Sequence, residues 1–145
     1  MTTYGFNKDE RSTFSYWFAH WCAFQMVALD LHVWKFRYLF HDIEKPWLRL
    51  FMPYKKVQEY HRNHSSHHIE YLHKHLACEL DLEAMVIDNE CSRFTKQSAP
   101  LTAIEFCQQE INKLNALKGW DQYQARCYLG YSRAMVKAYE LGLQK

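Results

Sequence analysis

The chain has 145 residues, 48% hydrophobic and 23% charged, with a formal charge of +2. Those totals suit one globular domain with a real core and exclude a disordered chain; a charge of +2 with no Lys/Arg block argues against a nucleic-acid partner. Four glycines and three prolines provide too few turns for an all-β fold, so an all-α chain is expected.

Residues 1–10 read as a loosely packed start. Ser12 or Thr13 caps a helix to about Leu31, with Phe14, Trp17, Phe18, Trp21, Phe24 and Val27–Ala28 forming one broad buried face. This apolar run holds His20 and Gln25 and is shorter than the roughly 20 residues a spanning helix needs. Acidic residues precede it and no small-residue cleavage site follows, so neither a membrane span nor a signal peptide is expected. A second helix is expected from His32 to about Ile43, with Trp34, Tyr38 and Leu39 inward. Pro46 is expected to stop it, and Pro46 and Pro53 bracket a short turn, Trp47–Met52.

Helix resumes at Tyr54 through Val57 and Tyr60. It either continues to about residue 75 or breaks at Ser65–Ser66, where serine favours a cap. Ile69, Leu72 and Leu76 are packing positions, and His73 and His75 read as surface histidines. A helix from about Asp81 to Phe94 buries Leu82, Met85 and Val86, with Asp81 suited to its cap. Residues 97–100 read as a linker, with Pro100 in the first turn of a helix to about Leu117. Gly119 ends that helix and Asp121 caps the last one. These two C-terminal helices, about 100–143, form a hairpin beside a core of about 12–96. Their tyrosines suit a pocket lid or a homodimer surface.

The chemistry concentrates around Phe40-His41-Asp42-Ile43-Glu44-Lys45-Pro46. Imidazole and carboxylate are ligands for borderline and hard divalent ions. Neighbours on a helix point about 100° apart, so His41 and Asp42 reach one ion together only at a helix end or bend. His20 lies upstream; His61, His64, His67 and His68 lie downstream, then Asp88 mid-helix, where Asp is disfavoured. On one continuous helix His61, His64 and His68 share a face; with a break at Ser65–Ser66, His67 competes. The expected ligands are His20, His41, Asp42, His64, His68 and Asp88, with His61 and His67 competing. If Asp42 bridges, two cluster histidines hold a second ion. A donor set without thiolate points to Mn, Fe, Mg, Co or Ni, one or two ions. The five cysteines include no CxxC pair and read as reduced core thiols of a cytoplasmic protein.

This H…HD…D order on helices, with the stretch FHDIEK, resembles the HD superfamily of metal-dependent phosphohydrolases. The stretches HSSHHIEY and MVIDNECSRFTK are similar to small HD-like proteins of bacteria and phages. The likeness covers about Phe14 to Lys96. It implies an HD-like helical bundle in a single domain, 1–145, whose metal ligands include His20, His41, Asp42 and Asp88. It implies that Lys45 touches a substrate phosphate. Many HD hydrolases carry a glutamate where this chain has Lys45; Glu44 is one residue early, so Glu70 becomes the candidate for proton transfer. The expected activity is hydrolysis of a nucleotide or nucleotide-derived phosphate ester. The alternatives are an HD-type di-iron oxygenase, and a non-catalytic, metal-stabilised binding module.

Overall fold

The computed structural model describes residues 6–7, 9–72, 78–96 and 101–143. His73, His75, Leu76 and the linker at 97–100 lie outside them, as does most of the expected loose start. The described chain is an all-α helical bundle. Its helices are α1 (Phe14–Asp30), α2 (Glu44–Arg49), α3 (Tyr54–His64), α4 (Ile69–Leu72), α5 (Glu79–Thr95), α6 (Ala103–Asn115) and α7 (Gln122–Glu140). Short 3₁₀ turns occupy Asp9–Ser12 and Phe36–Phe40. Among the described residues no helix is long and apolar enough to cross a membrane.

Helix α5 is the axis of the bundle. It packs on α1 and also on α6 and α7. Its periodicity explains how. Leu82, Met85 and Val86 join Ile104, Cys107, Ile111, Cys127, Tyr131, Ala134 and Ala138 of α6 and α7 in one core cluster. Ala84, Ile87 and Cys91 join Ala23, Phe24, Val27 and Ala28 of α1, with Tyr38, in another. A helix buried on two sides has little polar face left, and Glu83, Asp88 and Glu90 are themselves buried. Glu90 is satisfied by Arg93, at 2.9 Å, and by the Ala103 N–H at the start of α6, also 2.9 Å. That carboxylate sits where the unpaired amides of a helix N-terminus favour negative charge.

Several helix starts follow from their caps. Thr13 accepts from the Tyr16 N–H, Thr102 from Glu105, and Asp121 forms a reciprocal capping box with Gln124. Cys78, not Asp81, holds the N-cap position of α5. Asp81 instead accepts from the Cys78 thiol and faces Arg37 at 3.6 Å. Helix α6 begins at Ala103, so its first turn starts later than Pro100.

Three expectations change. The segment His32–Ile43 is not an α-helix. His32 takes a left-handed backbone, φ 59, which ends α1, and only Phe36–Phe40 coils, as a 3₁₀ turn. Pro46 does not stop a helix. It is the third residue of α2, where the N–H it lacks has no intrahelical partner to lose. The buried face of α1 also runs along Tyr16, His20, Ala23, Phe24, Val27 and Ala28, leaving Phe14 65% and Phe18 51% exposed. The indoles beside them make hydrogen bonds instead of packing deep: Trp17 Nε1 donates to the Asp42 carbonyl at 2.8 Å, and Trp21 Nε1 to that of Leu39 at 3.0 Å. One turn further on, Gln25 Nε2 donates to the Tyr38 carbonyl at 2.6 Å. Spaced four apart, these three donors pin residues 38–42 to one stripe of α1.

Ile104 is fully buried where α6 meets α5 and α7, far from the polar cluster described below. Ile104→Ala should therefore cost about 2–5 kcal/mol by urea unfolding, with the helical circular dichroism of the native state retained.

Candidate metal centre

Two groups of side chains have the composition and spacing to hold a metal ion: His20, His41, Asp42 and Asp88, and His61, His67 and His68. Each is placed by an identifiable local device. His20 is four residues before Phe24 on the buried stripe of α1, and Asp88 four after Ala84 on the facing stripe of α5. Their side chains meet across the α1–α5 contact, with His20 Nε2 2.8 Å from Asp88 Oδ1. His41 follows the 3₁₀ turn in extended backbone, and Asp42 is left-handed, φ 55. That reversal is what turns two consecutive side chains towards one point. Such a conformation costs a non-glycine residue energy, and the Trp17 hydrogen bond to the Asp42 carbonyl holds it in place. The His41 ring stacks on Phe24, centroids 3.8 Å apart, and its Nε2 lies 3.0 Å from Asp88 Oδ1 and 3.4 Å from His20 Nε2.

The second group depends on where α3 stops. Ser65, in extended backbone, ends the helix, so residues 67 and 68 return towards the bundle instead of continuing around the helix. His64 is consequently a correction: it is exposed, donates from Nδ1 to its own helix at the Tyr60 carbonyl, 2.8 Å, and stacks on the Tyr60 ring. His61 and His67 take the buried places, beside His68.

Asp42, of the first group, also reaches the second. Its Oδ1 is 3.0 Å from His61 Nε2 and 3.3 Å from His67 Nε2, while its Oδ2 faces His20 Nε2 at 3.7 Å and Lys45 Nζ at 2.9 Å. Four atoms each 2.0–2.2 Å from one ion lie within about 4.4 Å of one another. The separations of Asp88 from His20 and His41, and of Asp42 from His20, His41, His61 and His67, satisfy that limit. The second test is satisfaction. Asp42 Oδ1, His61 Nε2, His67 Nε2 and His68 Nε2 are buried with no aligned hydrogen-bond partner. Buried polar atoms rarely stay unpaired, and these four make a donor set fit for a cation.

Tautomer and charge agree with that reading. His61 Nδ1 donates to Glu44 in a very short contact, and Ser65 Oγ lies 3.0 Å from the same nitrogen. A proton fixed on Nδ1 leaves the Nε2 lone pair free to coordinate, the usual arrangement behind a ligating histidine. Glu44 is thus a positioning residue that sequence reading passed over as a failed acid/base. Its one signal was an acid in the loop carrying His41 and Asp42. Burial alone would raise the Asp42 pKa, but His41, Lys45, His61 and His67 hold it well below the ordinary range. Asp88 is likewise held low against burial by His20 and His41. Burial pushes His41 down to about 4 and His68 well below normal. Both carboxylates are therefore ionised and both of these imidazoles neutral near neutral pH, which is the state a metal ion binds.

The centre separates two cavities. The larger, about 250 Å³, is lined by His20, Asp42, Lys45, Arg49, Tyr16, Trp17 and Tyr54 among others; the smaller, about 130 Å³, by His67, His68, Glu70, Asp88, Asn89 and Lys96. Lys45 and Glu70 therefore lie on opposite sides. Glu70 is also held by Arg62 at 2.9 Å, so the two do not form one catalytic pair.

Fold and site together define an all-α protein with a buried His/Asp cluster able to bind a metal ion. Comparison with protein-family models, curated proteins and solved structures found no match.

Two outcomes follow. Asp42→Asn should abolish stoichiometric divalent-metal binding, measured by elemental analysis after gel filtration, whereas His64→Ala should retain it. Glu44→Gln should weaken metal affinity by about 10–100-fold. The second outcome concerns pH. Burial would lower the His61 pKa, but the Asp42 and Glu44 carboxylates outweigh it and raise it. The arriving ion must displace the proton that His61 takes up on acidification, so affinity should fall as the pH drops. Calorimetry in buffers of different ionisation enthalpy should show proton release on binding.

Proposed function

We propose that the chain is a metal-dependent phosphohydrolase acting on a nucleotide or nucleotide-derived phosphate ester, in which His20, His41, Asp42 and Asp88, with His61, His67 and His68, would hold one or two divalent ions. The observation that supports this reading is the position of the Asp42 carboxylate, with Oδ1 towards His41, His61 and His67 and Oδ2 towards His20. A carboxylate among two histidine groups would serve either one ion or a pair. The HD resemblance of FHDIEK and its flanking His20 and Asp88 supports the same class. The donor set suits Mn, Fe, Mg, Co or Ni. Such ions, when bound, acidify water and neutralise charge on phosphoryl oxygens.

The remaining work falls to the chain's own groups. Asp88 and Asp42 hold His20 and His41 in place from two sides. Glu44 fixes the tautomer of His61. Lys45, whose pKa burial would lower but the Asp42 charge raises, remains an ammonium. It lines the larger cavity beside Arg49. With a metal held at Asp42, the Lys45 ammonium would be available to a phosphoryl oxygen. Phe14, Tyr16, Trp17 and Tyr54 line the same cavity, an aromatic wall on which a nucleobase stacks. Burial raises the Tyr16 phenol pKa far above neutrality, so its hydroxyl keeps its proton in this cavity. Glu70 lines the smaller cavity instead.

The test is phosphate release from a panel of nucleotides by chain loaded with manganese or iron. Release should require metal, with a metal-to-chain ratio near one or near two. It should be lost in Asp42→Ala with helical content intact, and Lys45→Met should lower kcat by roughly 10²–10³-fold. Fully loaded chain that hydrolyses no phosphate ester would overturn the proposal. Substrate-dependent oxygen uptake by the iron form would replace it with the di-iron oxygenase.

A further inference from the structure

The smaller cavity lies between α4, α5 and the α6–α7 pair, on the side of the centre away from Lys45. Its polar lining can be sorted by what is already engaged. The Asp88 carboxylate is taken by His20 and His41. Glu70 and Arg62 hold each other. Ser92 Oγ donates to the Asp88 carbonyl at 2.9 Å. His67 Nε2 and His68 Nε2 belong to the metal-centre group, and Glu70 Oε2 is an acceptor. Two further donors are left. The Asn89 Nδ2 amide is buried without a hydrogen-bond partner. The Lys96 ammonium, at the C-terminal cap of α5, has no hydrogen bond or ion pair among the described residues, and burial lowers its pKa despite the pull of Asp88. Both are donors, and one carries positive charge. A water could satisfy the amide but not the charge on Lys96.

We propose that this cavity is a phosphate-oxyanion pocket, with Asn89 and Lys96 as its donors, on the far side of the metal centre from Lys45. Size agrees with that occupant. One water needs roughly 10–15 Å³ on this measure, so about 130 Å³ admits a tetrahedral oxyanion, while the larger cavity is the one that takes an organic group. The choice of phosphate over another oxyanion rests on the hydrolase reading. On that reading inorganic phosphate, the product of hydrolysis, is the oxyanion the pocket takes, next to His67, His68 and Asp88.

The experiment is a calorimetric titration of the metal-loaded chain with inorganic phosphate, at constant ionic strength. The parent chain should bind phosphate, sulfate should compete, and chloride should not. Lys96→Gln and Asn89→Leu should each weaken phosphate binding by about tenfold or more with metal content unchanged, and Lys96→Arg should restore most of it. Asn89→Leu serves independently where Lys96→Gln does not fold. Phosphate affinity within about twofold of parent in both variants, or no binding by the parent, would overturn the pocket. If Lys96-dependent phosphate binding is found in a chain that hydrolyses no ester, the pocket stands and the hydrolase reading falls.

Discussion

A carboxylate taken out of water is expensive to leave ionised, and Asp42 is buried at the meeting point of both histidine groups. Desolvation of that kind outweighs most single ion pairs. Here it is met by several partners at once: Lys45 at 2.9 Å, His61 at 3.0 Å, His67 at 3.3 Å, and His20 and His41 slightly further off. Only Lys45 carries a permanent charge among them. The imidazole nitrogens lie close to Asp42 Oδ1 without being aligned as hydrogen bonds, so the charge is held by the summed attraction of several neighbours and not by one ideal contact. A core designed for stability alone would replace such a group by apolar side chains. An ionised carboxylate among imidazoles is instead a donor set suited to a cation.

The same residue imposes a demand on the backbone. Asp42 is left-handed, a conformation that Asp tolerates better than most residues but that still costs energy. The compensation comes from α1. Trp17, Trp21 and Gln25 recur every four residues and each donates to a carbonyl between residues 38 and 42. The Tyr38 and Asp42 carbonyls also accept from the His41 and Lys45 N–H groups, so the indoles and the amide reinforce a path that lacks a full α-helical ladder. His20 lies on the same helix, between Trp17 and Trp21 in sequence but turned towards α5. Helix α1 thus places one ligand itself and locks the loop that delivers two more, which couples the geometry of the site to the packing of the bundle.

Much of the fold was legible in the sequence, because its signals are local. Thr13 and Asp121 cap as their residue types predict, and the spacings of Leu82, Met85 and Val86 mark the face that packs on α6 and α7. His20, His41, Asp42 and Asp88 could be named because His and Asp at apolar or mid-helix positions are unusual, and the structure brings these four together. On a continuous helix His61, His64 and His68 share a face; the single extended residue Ser65 breaks it and redirects His67 and His68, while within α3 His61 is buried and His64 exposed. The expected helix over His32–Ile43 failed because tertiary hydrogen bonds from α1 stabilise an irregular path that propensity does not reveal. Trp17 and Trp21 looked like core residues, since their apolar bodies are readable in a pattern and the destination of an indole N–H is not.

The position of α5 explains why one centre faces two cavities of different character. Asp88 is on the stripe that meets α1, whereas Asn89, one residue on and about 100° around the helix, faces the space under α4. Both line the smaller cavity with different duties: Asp88 holds His20 and His41, and Asn89 joins Lys96. On the opposite side, Asp42 and Lys45, three apart, line the larger cavity from the loop and α2. The wall between the cavities is made of the histidines and carboxylates themselves. A ligand on either side meets the same cluster, so replacing a wall residue alters both compartments, while replacing Lys96 or Arg49 alters only one.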